Sequence, residues 1–106
     1  MATQRSTVEF VLDQLEPLNV RARAMFGEYG IYCDEKFVAM VCDDVLYVKP
    51  TAAGERLLAG VPLAPPYPHA KNHYGIPGDR LDDREWLQEV FRATAEALPA
   101  KKPRKR

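Results

Sequence analysis

Two histidines, two cysteines and one tryptophan in 106 residues leave little material for metal sites, disulfides or thiol chemistry. No stretch approaches the run of about 20 apolar residues that spans a bilayer. The opening residues MATQRSTVEF lack the apolar core of a secretory leader, so none is read and a cytoplasmic protein is expected. Neither Gly-x-x-x-x-Gly-Lys-Ser/Thr nor Gly-x-Gly-x-x-Gly occurs, which excludes both common phosphate-cradling loops. Internal repeats are absent. Net charge is absent too, but only in sum. The last six residues, KKPRKR, hold five cations, whereas the first 100 hold ten basic and fifteen acidic residues, formally −5. An acidic body suits a phosphate backbone poorly, so any nucleic-acid contact falls to Lys101, Lys102, Arg104, Lys105 and Arg106. The length fits one domain, residues 1–100, followed by a disordered basic tail, 101–106.

What is present is a clear order of elements. Ser6-Thr7-Val8-Glu9 has the form of a capping box. Val8, Val11, Leu12 and Leu15 follow at helical spacing, with Phe10 off the stripe. Val20–Phe26 reads as an extended lead-in. Tyr29–Cys33, Phe37–Cys42 and Val45–Lys49 are β-branched and aromatic enough for three strands, turned at Asp34-Glu35 and Asp43-Asp44. Gly27 and Gly30 suggest a bulge or a close backbone approach. Thr51 caps a short helix, 52–59, closed by Gly60. VPLAPPYP, residues 61–68, is too rich in proline for a central strand. It can pair as an edge with His73–Ile76. The last helix takes Asp82 as its N-cap with Glu85 at N3, carries Trp86, Leu87, Val90, Phe91, Thr94, Ala97 and Leu98 on one face, and stops at Pro99. The expected fold is α+β, a two-layer α-β(3)-α-β(2)-α arrangement with a five-stranded antiparallel sheet.

Met25-Phe26-Gly27-x-Tyr29-Gly30-Ile31-Tyr32, then Phe37-x-Ala39, then Leu46-Tyr47-x-Lys49, resembles the N-terminal domain of the bacterial TfoX/Sxy competence regulators. The likeness runs over about residues 5–98 and implies the same element order. It implies a non-enzymatic role in transcription or competence regulation, through contacts with an unknown protein partner. Two-domain members add a helical C-terminal domain, in whose place this chain carries its basic tail. The motif brings no catalytic set and no cofactor. Met25, Phe26, Gly27, Tyr29, Gly30 and Tyr47 match it, and a structural role accounts for them.

Other candidates are weighed against plainer roles. His69 and His73 have the spacing of two ligands on a helix face, but they lie in a Pro/Gly-rich stretch with no third ligand, so no metal is expected. Cys33 and Cys42 could approach across a hairpin, with Lys36 perturbing a thiol; two small buried hydrophobes is the simpler reading. Asp43-Asp44 and Asp82-Asp83 fit a turn and a helix start better than acid/base work. Arg21, Arg23 and Lys49 with Tyr29, Tyr32 and Tyr47 could form a stacking platform for single-stranded nucleic acid, opposed by the nearby acids. A small enzyme or ligand-binding protein would use a pocket near Tyr29, Tyr67 and Tyr74.

Phe37–Cys42 is apolar at every position. Strict alternation puts Phe37, Ala39 and Val41 on one face and Val38, Met40 and Cys42 on the other. One face meets the helices. The other needs a cover, either the 61–68 segment or a second subunit in a homodimer.

Overall fold

The computed structural model describes residues 3–25 and 28–98. Phe26, Gly27 and the tail cations Lys101, Lys102, Arg104, Lys105 and Arg106 lie outside the described residues. In chain order the elements are α1 (Arg5–Leu15), β1 (Val20–Met25), β2 (Glu28–Cys33), β3 (Lys36–Cys42), β4 (Val45–Val48), α2 (Ala52–Glu55), β5 (Leu63–Ala64), β6 (His73–Ile76), a 3₁₀ turn (Gly78–Asp82) and α3 (Arg84–Ala97). The strands form one antiparallel sheet in the order β1-β2-β3-β4-β6-β5. The α+β class is as expected, but the sheet has six strands, not five. The lead-in at Val20 pairs along its whole length with β2, from Val20 opposite Cys33 to Met25 opposite Glu28.

Two tight turns set the register. Asp34 and Glu35 have φ of 53° and 66°, Asp43 and Asp44 of 52° and 64°. Positive φ at both residues of a two-residue loop makes the primed turn whose twist matches a hairpin.

Helices α1 and α3 cover one face of the sheet. Val8, Val11 and Leu15 from α1 and Leu87, Val90, Phe91 and Ala95 from α3 pack with Ile31, Ala39, Val41, Leu46, Val48 and Ile76. Leu12 is only partly buried, and the stripe centres on Val11 instead. The C-terminal carbonyls of α1 are tied to α3: Gln88 donates to the carbonyls of Gln14 and Glu16, and Arg84 also donates to Glu16.

Two caps and the length of one helix differ from the sequence reading. α1 has Gln4 as its N-cap with no side-chain cap of its own, so the Ser6–Glu9 box is not used. α3 is capped by Asp83, whose carboxylate accepts from the Trp86 amide, one residue later than expected; Asp82 ends the 3₁₀ turn. α2 is shorter than expected and passes into turns after Glu55. Its Thr51 cap does accept from the Gly54 amide at 3.0 Å, and Gly60 does have positive φ, 85°.

The alternation in β3 is broken. Ile31 pairs with Ala39 and Tyr32 with Phe37, so Val38 is the extra residue of a bulge. Val38 therefore joins Ala39 and Val41 in the helix-facing core. Phe37 moves to the open face with Met40 and Cys42. This corrects the face assignment that strict alternation gives.

Candidate functional site

The open face is built from cross-strand rows. Arg23, Gly30, Met40, Tyr47 and Gly75 follow one another from β1 to β6. Arg21, Tyr32 and Phe37 form a neighbouring row. Two glycines make room for rings here. A Cβ on Gly30 would stand 2.7 Å from Phe37 Cε1 and 3.3 Å from Met25 Cε, and one on Gly75 would stand 3.3 Å from Tyr47 Cε1. The glycine of the Tyr-Gly-Ile-Tyr string thus marks a close approach, of side chains rather than of backbone.

Above this floor lies a cavity of about 560 Å³, lined by Met25, Glu28, Phe37, Met40, Cys42, Pro66 and Tyr67. Pro66 and Tyr67 come from the proline-rich segment, which roofs the cavity from the β5 side. The chain's own atoms leave Met40 7% and Cys42 4% exposed. Tyr67 itself is 55% exposed and Leu63 51%.

Among the described residues Glu28 is the charged group in the lining. Its Oε1 accepts from the Thr3 hydroxyl and from the Asp43 amide at 3.1 Å. Thr3 is buried; its single hydroxyl proton is shared between Glu28 and the Val41 carbonyl at 3.2 Å, and its oxygen accepts from the Asp44 amide. The chain before α1 is thereby fastened to the β3–β4 turn. Nothing in the sequence pattern flagged Thr3 or Glu28; their pairing spans 25 residues and depends on the folded register.

The thiols are separated. Cys33 pairs with Lys36 beside the first turn and belongs to the helix-facing core, whereas Cys42 lies at the far end of β3 on the cavity. Burial pushes Cys42 up from its ordinary 9.0 to about 11, with Glu28 and Asp43 adding to the effect. Burial also raises Cys33. Lys36 is turned to another task, donating to the Ala95 carbonyl at 2.8 Å near the end of α3. Both cysteines are thus held as neutral thiols at pH 7.

The proposed stacking platform is partly assembled. Arg21, Arg23, Tyr32 and Tyr47 share the open face, while Tyr29 joins the core on the other. The Arg21 guanidinium lies 4.6 Å from the Tyr32 centroid and is paired with Glu35 at 2.9 Å. The Lys49 ammonium lies 4.7 Å from the Phe37 centroid, and burial pushes its pKa down. The cations sit on ring faces of this chain, which leaves less ring surface for bases. The three tyrosines of the expected pocket do not meet: Tyr67 lines the cavity, whereas Tyr29 and Tyr74 pack against the helix-side core.

His69 is exposed with φ of 72°, and His73 Nδ1 pairs with the Lys71 carbonyl at 2.9 Å. Among the described residues no group of three His, Cys, Asp or Glu side chains could hold a metal. Among the same residues no helix is long and apolar enough to cross a membrane.

Comparison with known proteins agrees with the motif. The chain is 45% identical over 106 residues to an "Uncharacterized 12.7 kDa protein in trpE 5'region" of Spirochaeta aurantia, covering 99% of this chain and 91% of that relative. The sequence profile of the TfoX N-terminal domain matches residues 12–98. With the sheet, the flanking helices and the glycine-floored open face in place, the chain belongs to the TfoX N-terminal domain family.

Proposed function

We propose that this chain is a non-enzymatic contact module of the cytoplasm, acting through protein–protein contacts in transcription or competence regulation. The observation that carries the reading is the exposure of Leu63 and Tyr67. Both are more than half exposed, on one short segment at the β5 margin of the sheet. Pro62, Pro65 and Pro66 leave few free backbone donors there, so the margin is unsuited to adding another strand. Contact is made by side chains instead. Family membership adds weight, as does the structural use of the ordered polar groups: Asp44 at the start of α1, Asp83 at the start of α3 and Lys36 near its end.

The first partner is a second copy of the chain, since a two-fold pair is the commonest way to cover such a margin. Light scattering at micromolar concentration tests it. A wild-type dimer that becomes a monomer on Leu63→Lys or Tyr67→Lys, with the fold intact, is expected. A wild type that stays monomeric at high micromolar concentration sinks the self-association.

A further inference from the structure

We propose that the cavity on the open sheet face is a binding site for a small apolar cation, a protonated amine carried on an aromatic or branched hydrocarbon body. The inference does not rest on the contact reading above, although Tyr67 serves in both. Its volume, about 560 Å³, lies within the range of small-molecule sites. Its walls come from β1, β2, β3 and the 61–68 segment, so it is a product of the tertiary fold rather than a crease in one hairpin.

The lining selects the ligand. Met25 and Met40 are unbranched thioethers that adapt to the shape of an apolar guest. Tyr67 brings an aromatic ring whose face attracts cations, while Phe37 already carries the Lys49 ammonium 4.7 Å from its centroid and adds apolar surface. Cys42 offers a neutral thiol and acts as an apolar wall. Glu28 supplies the charge. Among the described residues both donors to Glu28, from Thr3 and Asp43, fall on Oε1. A carboxylate already anchored by two hydrogen bonds needs little ordering to receive an ammonium, which favours binding. An anionic guest of the same size meets that carboxylate with like charge and is disfavoured.

Three probes with one hydrocarbon body test the site: 1-naphthylmethylamine, 1-methylnaphthalene and 1-naphthoate. Affinities are read by naphthalene fluorescence, and the site by amide shifts in a ¹⁵N spectrum. The cation is expected to bind roughly tenfold or more tighter than the neutral probe, and the anion more weakly than either. Shifts should cluster on Met25, Met40, Cys42 and Tyr67. Glu28→Gln keeps an acceptor for Thr3 and Asp43, so it should fold, lose the preference for the amine and retain the neutral probe. Cys42→Phe should fill the cavity and weaken all three. If either variant misfolds, the three-probe comparison on the wild-type chain still decides. Equal affinity for the three probes, shifts elsewhere on the molecule, or no binding at millimolar probe would overturn the proposal.

Discussion

Asp44, in the turn between β3 and β4, accepts the Thr7 hydroxyl of α1 at 2.8 Å with the same carboxylate oxygen that takes the Gln4 amide at 2.8 Å. The first helix is therefore capped from a residue 37 positions downstream of Thr7. A carboxylate at this end also complements the helix dipole. One residue of a hairpin turn thus couples the sheet to the layer above it.

That coupling can be divided by substitution. Asp44 has φ of 64°, a conformation that Asn and Gly tolerate and Ala does not. Asp44→Asn keeps the backbone and an acceptor, and should cost little. Asp44→Gly keeps the backbone and loses the cap, at about 0.5–2 kcal/mol. Asp44→Ala loses both and should cost about 1 kcal/mol more. Urea unfolding of the three variants checks the order. Equal losses for Gly and Asn would mean that the side chain contributes nothing to α1.

The close approach at Gly30 gives a second test. An added methyl must push aside the Phe37 ring, which also carries Lys49. Gly30→Ala should destabilise by about 1–3 kcal/mol, the usual range for overpacking. In a Phe37→Leu background most of that loss should disappear, because the obstructing ring atom is gone. A double-mutant cycle measures the coupling. An unchanged cost in both backgrounds would show that the glycine serves something other than the ring.

Thr94 presents the opposite situation. It is fully buried in α3, and its hydroxyl has no hydrogen-bond partner among the described residues. Burying an unmatched hydroxyl costs free energy that an apolar group of the same shape does not. Thr94→Val should raise stability by about 1 kcal/mol. The check is the urea midpoint, and a lower midpoint would mean that the hydroxyl is satisfied in solution.

Much of the fold was legible because it is written in local signals. The stripe Val8, Val11, Leu15 and the stripe Leu87, Val90, Phe91 each recur at helical spacing, and all six residues are buried. The acidic pairs Asp34-Glu35 and Asp43-Asp44 interrupt apolar runs and do form the turns. The errors came where tertiary structure overrides local pattern. The capping box at Ser6 lost to Asp44, a long-range acceptor. Val20–Phe26 reads only as an extended lead-in, yet Val20–Met25 pairs as an edge strand with its two exposed arginines on the open face. The bulge at Val38 leaves no trace in a run that is apolar at every position, so the side of the sheet on which Phe37 falls could not be read. The cavity depended on that detail and on the return of Pro66 and Tyr67, and was legible only as a candidate cover.

The last expectation concerns pH. The Cys42 thiol ionises at about 11 in the folded chain against an ordinary 9.0. Between those values the unfolded chain has already released its proton while the folded chain keeps it. The folded state then binds more protons, so stability falls as pH rises from about 9 to about 11, and the contribution is fully present below 9. Lys49 acts in the other direction. Burial lowers its pKa, so its contribution improves as pH rises toward its ordinary 10.5. Comparing the wild type with Cys42→Ala at each pH removes Lys49 and Cys33 from the difference. The wild type should lose stability relative to the variant across that window. In a Cys33→Ala background, the rate of iodoacetamide labelling should also rise with a midpoint well above 9, since the thiolate is the nucleophile. Rapid labelling at pH 8 in the folded chain would show Cys42 to be an activated thiol, and would give the cavity a chemistry its walls do not otherwise provide.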